Sequence, residues 1–118
     1  MLYVDGFVLT VPKRKLAAYR RLSHSAGKVW RQHGALEYRE CVGDDLKVKM
    51  GVPFPRLAKV KHGETVVFSW IVFKSRTARD RVNAKVMKDP RITRTMSRPM
   101  PFDVKRMAYG GFRVLVDL

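Results

Sequence analysis

The order of secondary-structure signals along the chain repeats once: strand, helix and strand are followed by strand, helix and strand. The first set extends from Tyr3 to Val42 and the second from Thr65 to Val116. A βαββαβ order predicts a ferredoxin-like α+β sandwich, in which both helices pack on one face of a four-stranded antiparallel sheet. The other sheet face is then left uncovered, and an apolar face needs a partner. The pattern therefore predicts a fold and a homodimer, but it indicates no reaction.

Local signals place the boundaries of these elements. Pro12 ends the first strand, and the helix that follows ends at Gly34, a residue suited to positive φ. The segment from Glu64 to Phe73 is rich in β-branched and aromatic residues, which favours a strand. Ser75 is a suitable N-cap for the second helix, and Pro90 ends that helix.

Three other segments carry weaker signals. The stretches from Gly43 to Gly63 and from Arg91 to Pro101 contain prolines and basic residues, and both are predicted to be irregular. The last strand is predicted from Lys105 onward. Within it, Gly110 and Gly111 indicate a bulge or a close approach of another chain segment.

Length and composition limit the class of protein. A chain of 118 residues with 46% hydrophobic residues suits a single domain over residues 1–118 with one modest core. No apolar run approaches the roughly 18 residues that a membrane span needs, so no membrane contact is expected. A single cysteine and a start without a signal-peptide pattern make the cytoplasm the expected location.

The charge is strongly unbalanced, with 25 Lys and Arg against 10 Asp and Glu, a formal net charge of +15. No acidic residue occurs between Pro12 and Gly34. If both helices share one face, that face attracts polyanions such as nucleic acid. The alternative is a solvated face that serves solubility. The candidate polyanion-binding residues are Lys13, Arg14, Arg20, Arg21, Lys28, Arg31, Arg79 and Lys85.

Several blocks of the sequence together carry a family resemblance. They are residues 3–8, 33–38, 40–42, 66–76, 79–90 and 100–112. With these blocks the chain resembles the YbaA-like family of small uncharacterised bacterial proteins. The resemblance implies the dimeric α+β barrel superfamily, in which two bare sheets pair into one barrel. It implies no established activity.

The same superfamily includes cofactor-free oxygenases and small-molecule lyases that use the cleft between sheet and helices. The resemblance thus implies a small-molecule pocket, and an enzyme here would need no cofactor. Asp5 or Glu40 is the candidate proton acceptor, because a buried acid has a raised pKa, and Arg106 is the candidate for stabilising negative charge. The alternative is that Asp5 pairs with Arg106 or another cation across the strands.

Aromatic residues on the strands are the candidate walls of such a pocket. Trp70 and Tyr109 would form a flat wall for an aromatic ligand, with Asn83 of the second helix nearby. Alternatively, Trp70 belongs to the core. The superfamily's haem-degrading members use a histidine on the second helix as iron ligand. Asn83 lies in that region and does not serve as an axial ligand, so haem is not expected.

The remaining nucleophile and ligand candidates carry little chemistry. His24, His33 and His62 do not have the spacing of a metal site, so no metal is expected. Cys41 lies within a strand without a second cysteine and is predicted to be a buried, inert thiol.

Three functional hypotheses remain open. The first is a homodimer that binds or transforms a small organic molecule between its sheet and helices. The second is polyanion or nucleic-acid binding through the basic helical face. Base stacking on the last strand, which Tyr109-Gly-Gly-Phe-Arg-Val suggests, is disfavoured because paired sheets leave no open platform. The third is a structural or interaction dimer without a ligand.

Overall fold

In the computed structural model, which describes residues 1–118, four strands form one antiparallel sheet in the order β2-β3-β1-β4. The strands are β1 (Tyr3–Pro12), β2 (Glu37–Val42), β3 (Glu64–Phe73) and β4 (Ala108–Arg113). The helices are α1 (Leu16–His33), α2 (Phe54–Leu57), α3 (Arg76–Lys88) and α4 (Pro90–Met96). This order of elements and strands is that of the ferredoxin-like sandwich, so the predicted fold class is confirmed.

The two faces of the sheet follow from strand alternation and register. Asp5 pairs in register with Ile71, and Leu9 with Val67, so these residues share one face. That face is covered by α1, α3 and α4. The core on that side has two clusters, one around Val29, Ala35, Ile71, Phe73, Val82, Val86 and Ile92, the other around Leu9, Val11, Tyr19 and Val67.

The helix boundaries follow the predicted signals. Gly34 ends α1 with φ of 122°, a conformation that glycine adopts without steric cost. The hydroxyl of Ser75 accepts a hydrogen bond from the backbone nitrogen of Ala78 at 3.0 Å, which caps α3. The predicted N-cap and C′ residues therefore act as the sequence indicates.

The segment from Arg91 to Pro101 was predicted to be a loop, and for residues 91–96 this prediction was wrong, since they belong to α4. Asp89 ends α3 and at once caps α4, because its carboxylate accepts the backbone N–H of Arg91 at 3.0 Å. Pro90 occupies the first turn of α4, where its missing N–H is not needed. Ile92 is buried and anchors the short helix. The carboxylate of Asp89 also contacts Nε2 of His33 at 2.8 Å, so it joins α4 to the end of α1.

The last strand is shorter than predicted, since a 3-10 turn occupies Val104–Arg106 and β4 begins at Ala108. Gly110 and Gly111 pair with β1 in continuous register, so there is no bulge. The alternative expectation, a close approach, holds for Gly111. A Cβ atom there would lie 2.5 Å from the Tyr3 hydroxyl and 2.9 Å from Nη1 of Arg79.

The sheet face away from the helices keeps a large apolar surface. By alternation it carries Phe68 and Phe112, which are 44% and 61% exposed. The ring of Phe54, from α2, lies 6.0 Å from that of Phe68 and covers one end of this face. Cys41 lies opposite Phe68 on the edge strand β2 and is exposed, so the expectation of a buried thiol was wrong.

Candidate functional site

A cavity of about 340 Å³ lies between the helix-covered face of the sheet, α1, α4 and the chain that leads into β4. Its lining is mostly apolar: 17 of its 24 residues are hydrophobic, and they come from every element around it. This size is at the lower end of the range of small-molecule pockets. The cavity lies between sheet and helices, where the superfamily resemblance implied a pocket.

Methionines form much of the outer wall of the cavity. Met87, Met96, Met100 and Met107 line it, which is four of the six methionines in the chain. Methionine is unbranched and polarizable, so it adapts to ligands of irregular shape and contacts aromatic rings favourably. This wall was not recognised from the sequence, because the methionines belong to three separate segments.

The first polar group of the cavity is centred on Asp5, which is 1% exposed. Nη1 of Arg79 donates to Oδ1 of Asp5 at 2.7 Å, and Nδ2 of Asn83 donates to Oδ2 at 3.1 Å. The carbonyl oxygen of the Asn83 amide accepts from Nε1 of Trp30 at 2.9 Å. Asp5 therefore has a cation and an amide as partners, and its charge is neutralised inside the protein.

Tyr109 borders the same group. Its ring stacks on Phe7 with the centroids 4.8 Å apart, and its hydroxyl lies 3.5 Å from Oδ2 of Asp5. Burial, with the charge of Asp5 as a second cause, raises the pKa of Tyr109 above its ordinary value. The predicted pocket residues Tyr109 and Asn83 thus lie beside Asp5, the candidate proton acceptor.

The second polar group is centred on Glu40 of β2. The hydroxyl of Tyr19 donates to its Oε1 at 2.7 Å, and the hydroxyls of Ser23 and Tyr38 donate to its Oε2, the latter at 3.1 Å. Tyr19 and Ser23 are one helical turn apart on α1, while Tyr38 and Glu40 point to the same face of β2. The sequence reveals the two spacings separately, but only the fold brings them together.

The two tyrosines of this group remain protonated. Burial raises the pKa of Tyr19 well above its ordinary 10.0, and the negative charge of Glu40 raises it further. The same two causes, in the same order, raise the pKa of Tyr38. Both phenols therefore act as hydrogen-bond donors to Glu40 and do not act as bases near neutral pH.

A second cavity, of about 370 Å³, lies on the other side of the Glu40 group. Leu16, Arg20 and His24 of α1 line it together with Val42 at the end of β2. Tyr19, Ser23, Tyr38 and Glu40 line both cavities, so their side chains form the wall between them.

Two predicted site residues do not make the contacts that were expected, and of these only Trp70 lines the cavity. Arg106 does not approach Asp5: its Nη1 bonds to Oε2 of Glu64 at 2.7 Å. Glu64 pairs in register with Pro12, which is seven residues from Asp5 along β1. At about 3.3 Å per residue, Pro12 and Asp5 are about 23 Å apart. The indole nitrogen of Trp70 donates to Glu37 at 3.2 Å on the sheet face away from the helices. Trp70 pairs with Gly6, the neighbour of Asp5, so its side chain starts from the opposite face of the sheet.

The basic surface is also arranged differently from the prediction at one position. Arg79 is bonded to Asp5 and to Asp80, with its guanidinium 4.8 Å above the ring of Tyr3, so it does not belong to an open cationic face. The remaining predicted residues are exposed or border solvent; they are Lys13, Arg14, Arg20, Arg21, Lys28, Arg31 and Lys85.

The structure contains no group of three or more His, Cys, Asp or Glu side chains placed to hold a metal ion. None of its helices has both the length and the hydropathy that crossing a membrane requires. The cytoplasmic location stays a prediction.

Fold and cavity together define a small ferredoxin-like α+β protein with an apolar pocket between sheet and helices. The chain belongs to the family described as protein of unknown function DUF1428, whose model matches residues 2–104. It is 43% identical over 117 residues to the uncharacterized protein YbaA of Escherichia coli K12, with 99% of each chain covered. The predicted family is therefore confirmed.

Solved structures of low sequence identity share this fold. Rv0793 from Mycobacterium tuberculosis superposes with a TM-score of 0.61 at 15% identity, covering 99% of this chain and 98% of the other. A substituted form of SnoaB, a cofactor-independent oxygenase from Streptomyces nogalater, has a TM-score of 0.56 at 15% identity, covering 99% and 96%. At such identity the likeness extends to the fold alone.

Proposed function

We propose that this protein binds a small organic molecule with a largely apolar body in the cavity between its sheet and helices. The observation that carries the proposal is the cavity itself: about 340 Å³, mostly apolar, with polar groups confined to two places. Sites of this kind hold the body of a ligand by contact with apolar walls and fix its orientation with few polar groups.

Glu40 is the group that we expect to receive a proton or a hydrogen bond from the ligand. Asp5 is a weaker candidate, because Arg79 and Asn83 already occupy its carboxylate. Glu40 accepts only from neutral hydroxyls, which can rotate to make room for a ligand donor. A reaction at this site would be cofactor-independent proton abstraction, a class that suits the fold shared with SnoaB.

The binding proposal is tested with naphthalene as probe, by thermal shift and calorimetry. Ala26 lines the cavity from α1, and Ala26→Leu should fill part of it and weaken naphthalene binding at least tenfold. Ala17→Leu is the matched control, since Ala17 lies exposed on the same helix. Equal binding by both variants, or no binding by the wild type, would contradict the proposal.

We propose further that two copies pair through the sheet face that carries Phe68 and Phe112. This face holds exposed aromatic rings, whereas the exposed lysines and arginines of the helices lie on the opposite side. Two copies that each carry +15 can therefore approach sheet to sheet with their densest charge far apart. If the wild type dimerises but binds no naphthalene, the hypothesis of a structural dimer without a ligand is favoured.

Sedimentation velocity tests the dimer. Phe112→Lys places a charge on the proposed interface and should give a monomer at micromolar concentration. Ala17→Lys adds the same charge to the helical side and should leave the dimer intact. A wild-type monomer would refute the pairing.

A second function is favoured by one observation, the absence of any acidic residue between Pro12 and Gly34 in a surface of exposed cations. Polyanion binding through this face should weaken steeply with added salt. Changing Arg20, Arg21 and Lys28 together to Glu should abolish it. Binding of a DNA duplex that survives this reversal would exclude the helical face.

A further inference from the structure

Glu40 differs from every other carboxylate that is at least partly buried in this protein. Asp5 is paired with Arg79, Glu64 with Arg106, Glu37 with Arg39, and Asp89 with both His33 and Arg91. No lysine, arginine or histidine nitrogen lies within 4.0 Å of Glu40. Its three donors, Tyr19, Ser23 and Tyr38, are neutral hydroxyls.

The composition of the chain makes the lack of a cationic partner for Glu40 informative. With 25 Lys and Arg against 10 Asp and Glu, the chain has cations to spare for each carboxylate. The carboxylates that lack an ion pair apart from Glu40 are exposed ones, namely Asp44, Asp45, Asp103 and Asp117. A charge in an apolar wall is costly unless it is paired, and hydroxyl donors solvate it without neutralising it.

We infer that the molecule held in the cavity carries a protonated amine, and that Glu40 is its counter-ion. This inference rests on the proposed function and names the class of ligand, a compact apolar or aromatic amine. The ammonium donates to Glu40 while the apolar body lies among the methionines and Phe7. Charge-assisted hydrogen bonds of this kind are about twice as strong as neutral ones.

The net charge of the protein opposes amine binding at long range, so the preference for an amine must come from the short-range contact with Glu40. A net charge of +15 repels a cationic ligand at long range, and dissolved salt screens that repulsion. Contact with Glu40 occurs at short range in an apolar wall, where salt screens much less. The affinity for an amine should therefore stay constant or rise with salt, whereas binding of a polyanion falls.

Calorimetry with three probes that share one aromatic body tests the inference: naphthylmethylamine, naphthylmethanol and naphthylacetate. The wild type should bind the amine about ten- to a hundredfold more tightly than the alcohol, and the acetate most weakly. Glu40→Gln should abolish the preference for the amine, because amine binding loses its ion pair while the alcohol loses only a hydrogen bond to a charged acceptor. Glu37→Gln, on the other face of the same strand, should leave all three affinities unchanged.

The outcomes separate the two proposals. If the alcohol or the acetate binds the wild type as tightly as the amine, the amine inference is overturned while cavity binding stands. If none of the three probes binds, cavity binding fails for molecules of this size and the inference fails with it. The comparison of the three probes with the wild type alone decides between these outcomes, even where Glu40→Gln does not fold.

Arg20→Ala should still bind the amine more tightly than the alcohol. If this variant loses its preference for the amine, the assignment of the counter-ion to Glu40 is overturned.

Discussion

Nη1 of Arg79 lies 2.7 Å from Oδ1 of Asp5, and this contact is possible because position 111 of the neighbouring strand has no side chain. Asp5 pairs in register with Gly111, so the guanidinium passes over a bare backbone to reach the carboxylate. One glycine in β4, one arginine in α3 and one aspartate in β1 thus form a single structural unit, and Asp5 joins that unit to the cavity.

Gly111→Ala should disturb this unit. The added methyl group would lie 2.5 Å from the Tyr3 hydroxyl and 2.9 Å from Nη1 of Arg79, so both side chains must shift. We expect the free energy of unfolding to fall by about 1–3 kcal/mol. Gly110→Ala is the matched control, since its methyl group would meet nothing nearer than 3.8 Å, and it should be at least as stable as the wild type. If urea denaturation shows the same loss of unfolding free energy for Gly111→Ala and Gly110→Ala, the proposed packing at Gly111 is contradicted.

Arg79→Met should be strongly destabilising, because the Arg79 side chain is only 14% exposed and is the cationic partner of Asp5. The substitution leaves the carboxylate of Asp5, which is 1% exposed, without its cation, and breaking a buried pair in this way costs about 3 kcal/mol. Arg76→Met, an exposed change on the same helix, should cost little. The double variant Asp5→Asn with Arg79→Met should recover much of the loss, because no unpaired charge remains. Additive effects of the two single changes would show that the pair is not coupled.

Acid should weaken the protein through Glu64. Hydrogen bonds from Arg106 lower the pKa of Glu64 to about 2 from its ordinary 4.5. Below pH 4.5 the unfolded chain therefore takes up a proton at this position while the folded protein does not. The stabilisation is complete above that pH and is lost as the pH falls toward 2. In urea titrations at several acidic pH values, the free energy of unfolding should fall less steeply with decreasing pH for Glu64→Gln than for the wild type. For Asp44→Asn it should fall as steeply as for the wild type.

Alkali should weaken the protein through the tyrosines around Glu40. The pKa of Tyr38 is raised above its ordinary 10.0 by burial and by the charge of Glu40. Above that pH the unfolded chain loses a phenolic proton that the folded protein retains, so stability falls as the pH rises. Tyr38→Phe should reduce this fall. Ultraviolet titration of Glu40→Gln should show tyrosinate forming at lower pH than in the wild type, and an unchanged titration would contradict the role of Glu40.

The fold was predictable from the sequence because its signals are local. Gly34, Ser75 and the apolar run of β3 each determine their own neighbourhood, and their order along the chain selects one topology. The segment after Asp89 was missed because α4 is short and basic. Its stability comes from one cap, one proline and a single buried side chain, Ile92, and not from a helical apolar stripe.

The candidate site was predictable only in part. Asp5, Asn83 and Tyr109 lie together, but the cation on Asp5 is Arg79 and not Arg106, since residues 104–106 form a turn before β4 and Arg106 bonds there to Glu64. Trp70 lines the cavity as predicted, but its indole N–H bonds to Glu37 on the sheet face away from the helices, because Trp70 and Asp5 alternate along the paired strands. The hydroxyl cluster on Glu40 joins residues of a helix and an edge strand, and only tertiary packing creates it.

Asp89 ends α3, caps α4 and contacts His33 at the end of α1. Because α4 provides Ile92, Thr95 and Met96 to the cavity, one carboxylate fixes this part of the cavity wall to the rest of the molecule. If the cavity binds a ligand as proposed, the rate of its entry and exit should depend on how often the Asp89 cap at the start of α4 opens. Substitutions at Asp89 would therefore alter residence time without touching any atom of the ligand.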